Sequence, residues 1–89
     1  MTKEISFPAV HLNGSSGKVL CDQILEITYA IDEAVNLINK NWPNGRDYYV
    51  LGDDELTKVI AQWKERIDKM IAVRKEFSTI YGKIVDQMI

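Results

Sequence analysis

The stretch "LTKVIAQWKERIDKMIAVRKEFSTIYGKIVDQM" runs from Leu56 to Met88 and decides the fold. Leu56, Ile60, Trp63, Ile67, Met70, Arg74, Phe77, Tyr81, Ile84 and Met88 follow one another at alternating steps of four and three. A helix with 3.6 residues per turn brings such positions onto one stripe, as in a coiled-coil seam. No proline interrupts the run, and Gly82 is its one weak helix former. Asp53, Asp54 and Glu55 stand just ahead of it, where the positive end of a helix dipole favours carboxylates. A long helix is therefore predicted over 53–89.

A second periodic run lies upstream. Leu20, Ile24, Ile27, Ile31, Ala34, Val35 and Ile38 recur at steps that place them on one face. Either Ser15 or Ser16 can cap its start, and Asn39, Asn41 and Pro43 supply stop signals. The predicted helix covers 16–41. Residues 1–15 contain Pro8 and the turn cluster "NGSSG" at Asn13–Gly17, and they read as an extended arm. The arm carries Ile5, Phe7, Val10 and Leu12, too much apolar surface for a free tail, so it is expected to pack on the helices. A connector over 42–52 joins the helices and is longer than bundle connections usually are.

The expected fold is all-α: one domain over 1–89, an antiparallel two-helix hairpin with an N-terminal extended arm. Two helices of about 39 and 54 Å, at 1.5 Å per residue, leave the last turns of the longer one unpaired. Those turns carry Phe77, Ile80, Tyr81, Ile84, Val85, Met88 and Ile89. Exposing them costs roughly 25 cal/mol per Å². A chain of 89 residues also has a thin core. A helical homo-oligomer joined through the C-terminal half of the long helix follows as the expectation.

Composition excludes several classes of function. The net charge is -2, with 27% charged residues, which disfavours duplex nucleic acid as a partner. No apolar run approaches the roughly 20 residues of a membrane span. The start lacks the apolar core of a signal peptide, so a cytoplasmic location is expected. Cys21 is the only cysteine and His11 the only histidine. Within one chain a disulfide is excluded, and so is a His-rich metal site. Cys21 reads as a small buried apolar residue, and a His11–Cys21 nucleophile pair would be an accident of folding. No inward carboxylate pair is evident, so no enzyme, metal site or cofactor is expected.

Three polar features have two readings each. "GSSGK" at Gly14–Lys18 is an anion-accepting helix N-terminus or an ordinary cap. Arg74 is a polar contact or anion site in the seam, or an arginine that lays its stem on the seam and reaches water. "NGRDYY" at Asn44–Tyr49 holds the strongest constellation. A guanidinium forks onto phosphate, tyrosine rings offer stacking faces, and Asn44 reads hydrogen-bonding edges. The same residues also suit a clasp, with Arg46 paired to Asp47 or to a helix C-terminus and the tyrosines plugging the hairpin end with Trp42.

"VHLNGSS" at Val10–Ser16 and "PNGRDYY" at Pro43–Tyr49, each leading into a helix, resemble a family of small phage-encoded proteins. Its pattern is H-L-N-G-[ST]-S, a helix, P-N-G-R-D-Y-Y and a second helix, and the likeness spans most of the chain from Val10 onward. The architecture is also similar to that of phage sponge proteins, small helical-hairpin oligomers that sequester cyclic nucleotide signals of bacterial immunity. The resemblance implies an anti-defence role in the host cell cytoplasm, with a small nucleotide-like ligand held at subunit junctions. It implies a ligand-binding set of Arg46, Tyr48, Tyr49, Asn44, His11 and Asn13. The alternative is a helical protein–protein interaction module of a phage, without a small-molecule ligand.

Overall fold

A computed structural model describes residues 4–89. Two helices dominate: α1 at Gly17–Lys40 and α2 at Asp53–Gln87. Among the described residues no strand occurs. The helices pack against each other in antiparallel fashion, because partner numbers on α2 fall as those on α1 rise. Cys21 meets Met88, Asp32 meets Arg74, and the Trp63 indole N–H donates to the Ile38 carbonyl at 3.1 Å.

Local chemistry sets the ends. Ser16 caps α1, its Oγ accepting from Val19 N at 3.1 Å. This satisfies one of the donors a helix start leaves orphaned. Asn41 closes α1 by donating from both its backbone N and its Nδ2 to the Leu37 carbonyl. Gly52 has φ 111°, a left-handed value that an L side chain adopts only under strain, and it turns the chain into α2. No side chain caps α2, but Asp53, Asp54 and Glu55 fill its first turn.

The two helices overlap differently from the expectation. Gly17 sits level with Met88, where a Cβ on Gly17 would come within 2.6 Å of the Met88 side chain. Ile38 sits level with Trp63. The surplus length of α2 therefore lies at its N-terminal end, over residues 53–62, and not at its C-terminal end. The connector accounts for this. It forms two 3-10 turns, Gly45–Asp47 and Tyr49–Leu51, that fold back along the start of α2. A Cβ built on Gly45 would stand 3.4 Å from Leu56.

The C-terminal turns of α2 are accordingly covered by the chain itself. Ile84 has 0% exposure, the one large side chain fully enclosed among the described residues. Gly17 and Cys21, buried at the start of α1, lie against Met88 one turn further on, and Phe77, Ile80, Tyr81 and Val85 are half-buried. The arm completes the cover. Gln87 donates to the Pro8 carbonyl at 2.9 Å and accepts from Val10 N at 2.8 Å. α1 and the arm thus cover part of the surface through which an oligomer contact was expected, while Met88 and Ile89 stay exposed. Phe7 lies at the edge, 42% exposed, with the Lys83 ammonium 5.7 Å from its ring centre. Leu12 is exposed.

The Gln87 clamp carries a prediction. Gln87→Ala removes both arm bonds while leaving the helix intact. Amide exchange of Val10 and its neighbours should then accelerate at least tenfold, with α1 and α2 protection unchanged. Equal exchange in both proteins would show that apolar contacts alone hold the arm.

α1 turns inward the expected face, with Leu20, Ile24, Ile31, Ala34, Val35 and Ile38 half-buried, together with the edge beside it. Cys21 and Thr28 are buried and Leu25 and Asp32 half-buried, while Ile27 turns outward. Arg74 donates from Nη2 to Asp32 Oδ2 at 3.0 Å and from Nε to Asp32 Oδ1. This two-pronged pair joins the edge of α1 to the seam, with both side chains still partly exposed. Arg74 is therefore a polar inter-helix contact, held by a carboxylate rather than reaching water alone.

The hydrogen bonds from Arg74 hold the Asp32 carboxyl below its usual range. A carboxylate with a depressed folded value adds stability that is complete above the unfolded value near 3.9 and is lost as pH falls through the lower folded one. The stability difference between wild type and Asp32→Asn should therefore be full at pH 7 and shrink below about pH 4. Urea unfolding at pH 7 and pH 2.5 checks this. A gap that does not narrow on acidification would rule the linkage out.

Candidate functional site

The candidate residues fall into two groups. His11 and Asn13 precede α1, whereas Asn44, Arg46, Tyr48 and Tyr49 follow it. The 24 residues of α1 set them about 36 Å apart along the helix axis. One chain does not bring the six residues together.

The first group has structural roles. The His11 ring lies over Gly14, where an added Cβ would stand 2.7 Å from Nε2, and Gly14 N donates to the His11 carbonyl at 3.2 Å. Glycine at position 14 is thus a close approach for an imidazole. Ser16 occupies the α1 N-terminus as its cap, and Gly17 is packed against Met88. Cys21 directs its thiol to the Met88 sulfur at 3.9 Å. His11 and Cys21 are therefore engaged with different neighbours. Asn13 is exposed.

The second group forms the tip of the hairpin. Asn44 Oδ1 accepts from Arg46 N at 3.0 Å and caps the first 3-10 turn. The backbone then closes by Asp47 N to the Asn44 carbonyl and Tyr48 N to the Gly45 carbonyl, both at 3.0 Å. Asn44 thus shapes the turn through its side-chain oxygen, and its side chain is otherwise exposed. The turn projects Arg46 into solvent. Among the described residues the Arg46 guanidinium makes no ion pair and no hydrogen bond, so neither expected partner, Asp47 or a helix C-terminus, holds it. Tyr48 is half-buried against the tip, and Tyr49 is 73% exposed. The plug of both tyrosines with Trp42 does not form for Tyr49.

Two features of the site were missed in the sequence. Val50 and Leu51, 71% and 65% exposed, continue the open surface of Tyr49 on the second 3-10 turn. Three successive apolar residues in a connector look like buried packing, and only the 3-10 geometry turns them outward. The second is a shallow cleft between the helices, lined by Leu25, Thr28, Tyr29, Arg74, Ser78 and Tyr81. Its guanidinium already faces Asp32, which neutralises it toward a second anion.

Among the described residues no group of three or more His, Cys, Asp or Glu side chains could hold a metal ion, and no helix is long and apolar enough to cross a membrane. Comparison with family models, curated proteins and solved structures finds no match to this chain.

Proposed function

We propose that this chain is a homo-oligomeric binding protein that captures a small nucleotide-derived signalling molecule at subunit junctions, as an anti-defence sponge of a phage does. The observation that carries this reading is Arg46. Among the described residues its guanidinium has no partner; it stands on a turn fixed by Asn44, with Tyr48 and Tyr49 following after Asp47. A fixed turn presents the fork without the cost of ordering a loop on binding. An arginine holds a phosphate through two parallel bonds, and a tyrosine face accepts a base. Site residues from the tip of one chain alone form an open surface, so enclosing a ligand calls for a second copy. His11 and Asn13 join such a site only if the arm end of another copy reaches the tip.

The test is thermal unfolding with a panel of cyclic dinucleotides, cyclic trinucleotides and cyclic ADP-ribose isomers. A member present at 100 times its Kd adds about 2.7 kcal/mol of stability. A panel with no stabilising member would defeat the reading.

The exposed run Tyr49-Val50-Leu51 favours a second reading, a hairpin tip that docks on another protein. Such contacts use an apolar centre with aromatic anchors. Leu51→Asp discriminates the two, because it should abolish a protein contact through the tip while leaving the Arg46 fork in place.

A further inference from the structure

A crevice of about 360 Å³ opens between the arm and α2. It reaches the range of small-molecule sites, about 300–1,000 Å³. The cleft beside Arg74, at about 140 Å³, does not. α2 lines the crevice with Val73, Phe77 and Ile80, and the arm lines it with Ile5 and Ser6. The three α2 positions recur at steps of four and three, so the helix offers them as one apolar strip. The strip is not fully covered: Val73 is 44% exposed, and Phe77 and Ile80 are half-buried. Gln87 ties the arm to α2 at Pro8 and Val10, and residues 4–6 continue from there as the second wall.

Each wall carries one carboxylate, Glu4 on the arm and Glu76 on α2. Glu76 lies three residues after Val73 and four before Ile80, so it shares their edge of the helix. Both are exposed, and among the described residues neither makes an ion pair. The cations of this part of α2 do not line the crevice. Lys69 bonds Glu65, Arg74 bonds Asp32, and Lys83 lies over the Phe7 ring. Lys75, next to Glu76 in sequence, stands about 100° further round the helix. We infer that the crevice binds a small organic cation, an amine or quaternary ammonium carried on an apolar body. Charge sets the sign of the ligand. Two carboxylates lining one apolar space repel an anion, whereas a cation between them is attracted by both. The apolar body gains burial against Val73, Ile80 and Ile5. Phe77 adds an aromatic ring, which attracts a cation within about 6 Å of its centre. The Ser6 hydroxyl can accept from an ammonium N–H. This site takes a ligand opposite in charge to the one proposed for Arg46, on a different part of the fold, and stands without that reading.

The test is a titration of isotope-labelled protein with octylamine, octanol and octanoate, followed by backbone amide shifts. The three probes share one apolar chain and differ in charge. Octylamine should bind about tenfold or more tightly than octanol, as a charge-assisted contact does, and octanoate more weakly than either. The shifts should centre on Ile5, Ser6, Phe77 and Ile80. Glu76→Gln should bring octylamine down toward octanol and leave octanol unchanged, and Glu4→Gln should do the same from the other wall. Both positions are exposed, so the helical circular dichroism should be retained. If Glu76→Gln loses that signal, Glu4→Gln is read alone. Asp54→Asn, at the far end of α2, should leave all three affinities unchanged. Equal affinities for octylamine and octanol would reduce the crevice to apolar surface and overturn the inference. An amine preference that survives Glu4→Gln and Glu76→Gln together would overturn it too, as would the lack of a saturable shift up to about 10 mM octylamine. None of these outcomes bears on Arg46.

Discussion

Ile84→Ala should destabilise the fold by about 2–5 kcal/mol, the range for removing a fully enclosed aliphatic side chain. Ile84 is the right place to expect the top of that range, because nothing around it can collapse easily. The start of α1 closes on the next turn, with Gly17 and Cys21 against Met88, and the arm is held to this end by Gln87. A chain of 89 residues has about 4–13 kcal/mol in total. The substitution therefore removes a large share, and the melting temperature should fall by about 10–30 °C. Ile71→Ala is the matched control, since half of that side chain is already in water and its loss should shift the melt by a few degrees at most. Thermal unfolding at one fixed protein concentration compares the three proteins, because association raises the apparent stability. Equal melts for Ile84→Ala and Ile71→Ala would mean that the arm end is not the core of this fold.

Arg46→Ala should weaken capture of the nucleotide-derived ligand about ten- to a hundredfold, while thermal stability of the free protein stays within about 0.5 kcal/mol of wild type. The affinity figure follows from losing a charge-assisted bond worth roughly 1.5–3 kcal/mol. The small stability effect follows from geometry. The Arg46 side chain touches no partner among the described residues, and only its backbone N serves the turn. Arg46→Lys should recover part of the affinity, because an ammonium keeps the charge but loses the planar fork. Titration calorimetry with whichever panel member stabilises the protein makes the measurement. A sharp fall in melting temperature with unchanged affinity would identify the tip as a clasp instead.

The helices were legible because their signals are local. The four-three stripe from Leu56 to Met88, the cap at Ser16 and the stop at Asn41 each act within a turn or two of chain. Register was not legible, because it depends on groups far apart in sequence. The Asp32–Arg74 pair joins residues 42 positions apart, and the fold-back of Gly45–Leu51 sets which end of α2 is left long. Asp32 could have been found, since it lies four residues after Thr28 and seven after Leu25 on the same edge. Its charge argued for the outside, and only a cation in the facing seam reverses that argument. The role of Asn44 was partly legible for a similar reason. An asparagine ahead of a glycine signals a turn, but the sequence does not say that its side-chain oxygen accepts from Arg46 N.

The Gln87 clamp also sets an order in time. Val10 and Pro8 are bonded to a residue 77 and 79 positions away, and Gly17 and Cys21 close against Met88. During synthesis the arm and α1 emerge first, with no surface to settle on. α1 can form its own backbone bonds, and its C-terminal half can pack once residues 63–74 are out, but its first turns gain no tertiary burial until residues 84–88 leave the ribosome. Completion of this hairpin is therefore delayed until its second helix is almost complete. In that interval the apolar edge of α1 is open to chaperones, and a ribosome stalled anywhere before residue 84 holds a chain without its core.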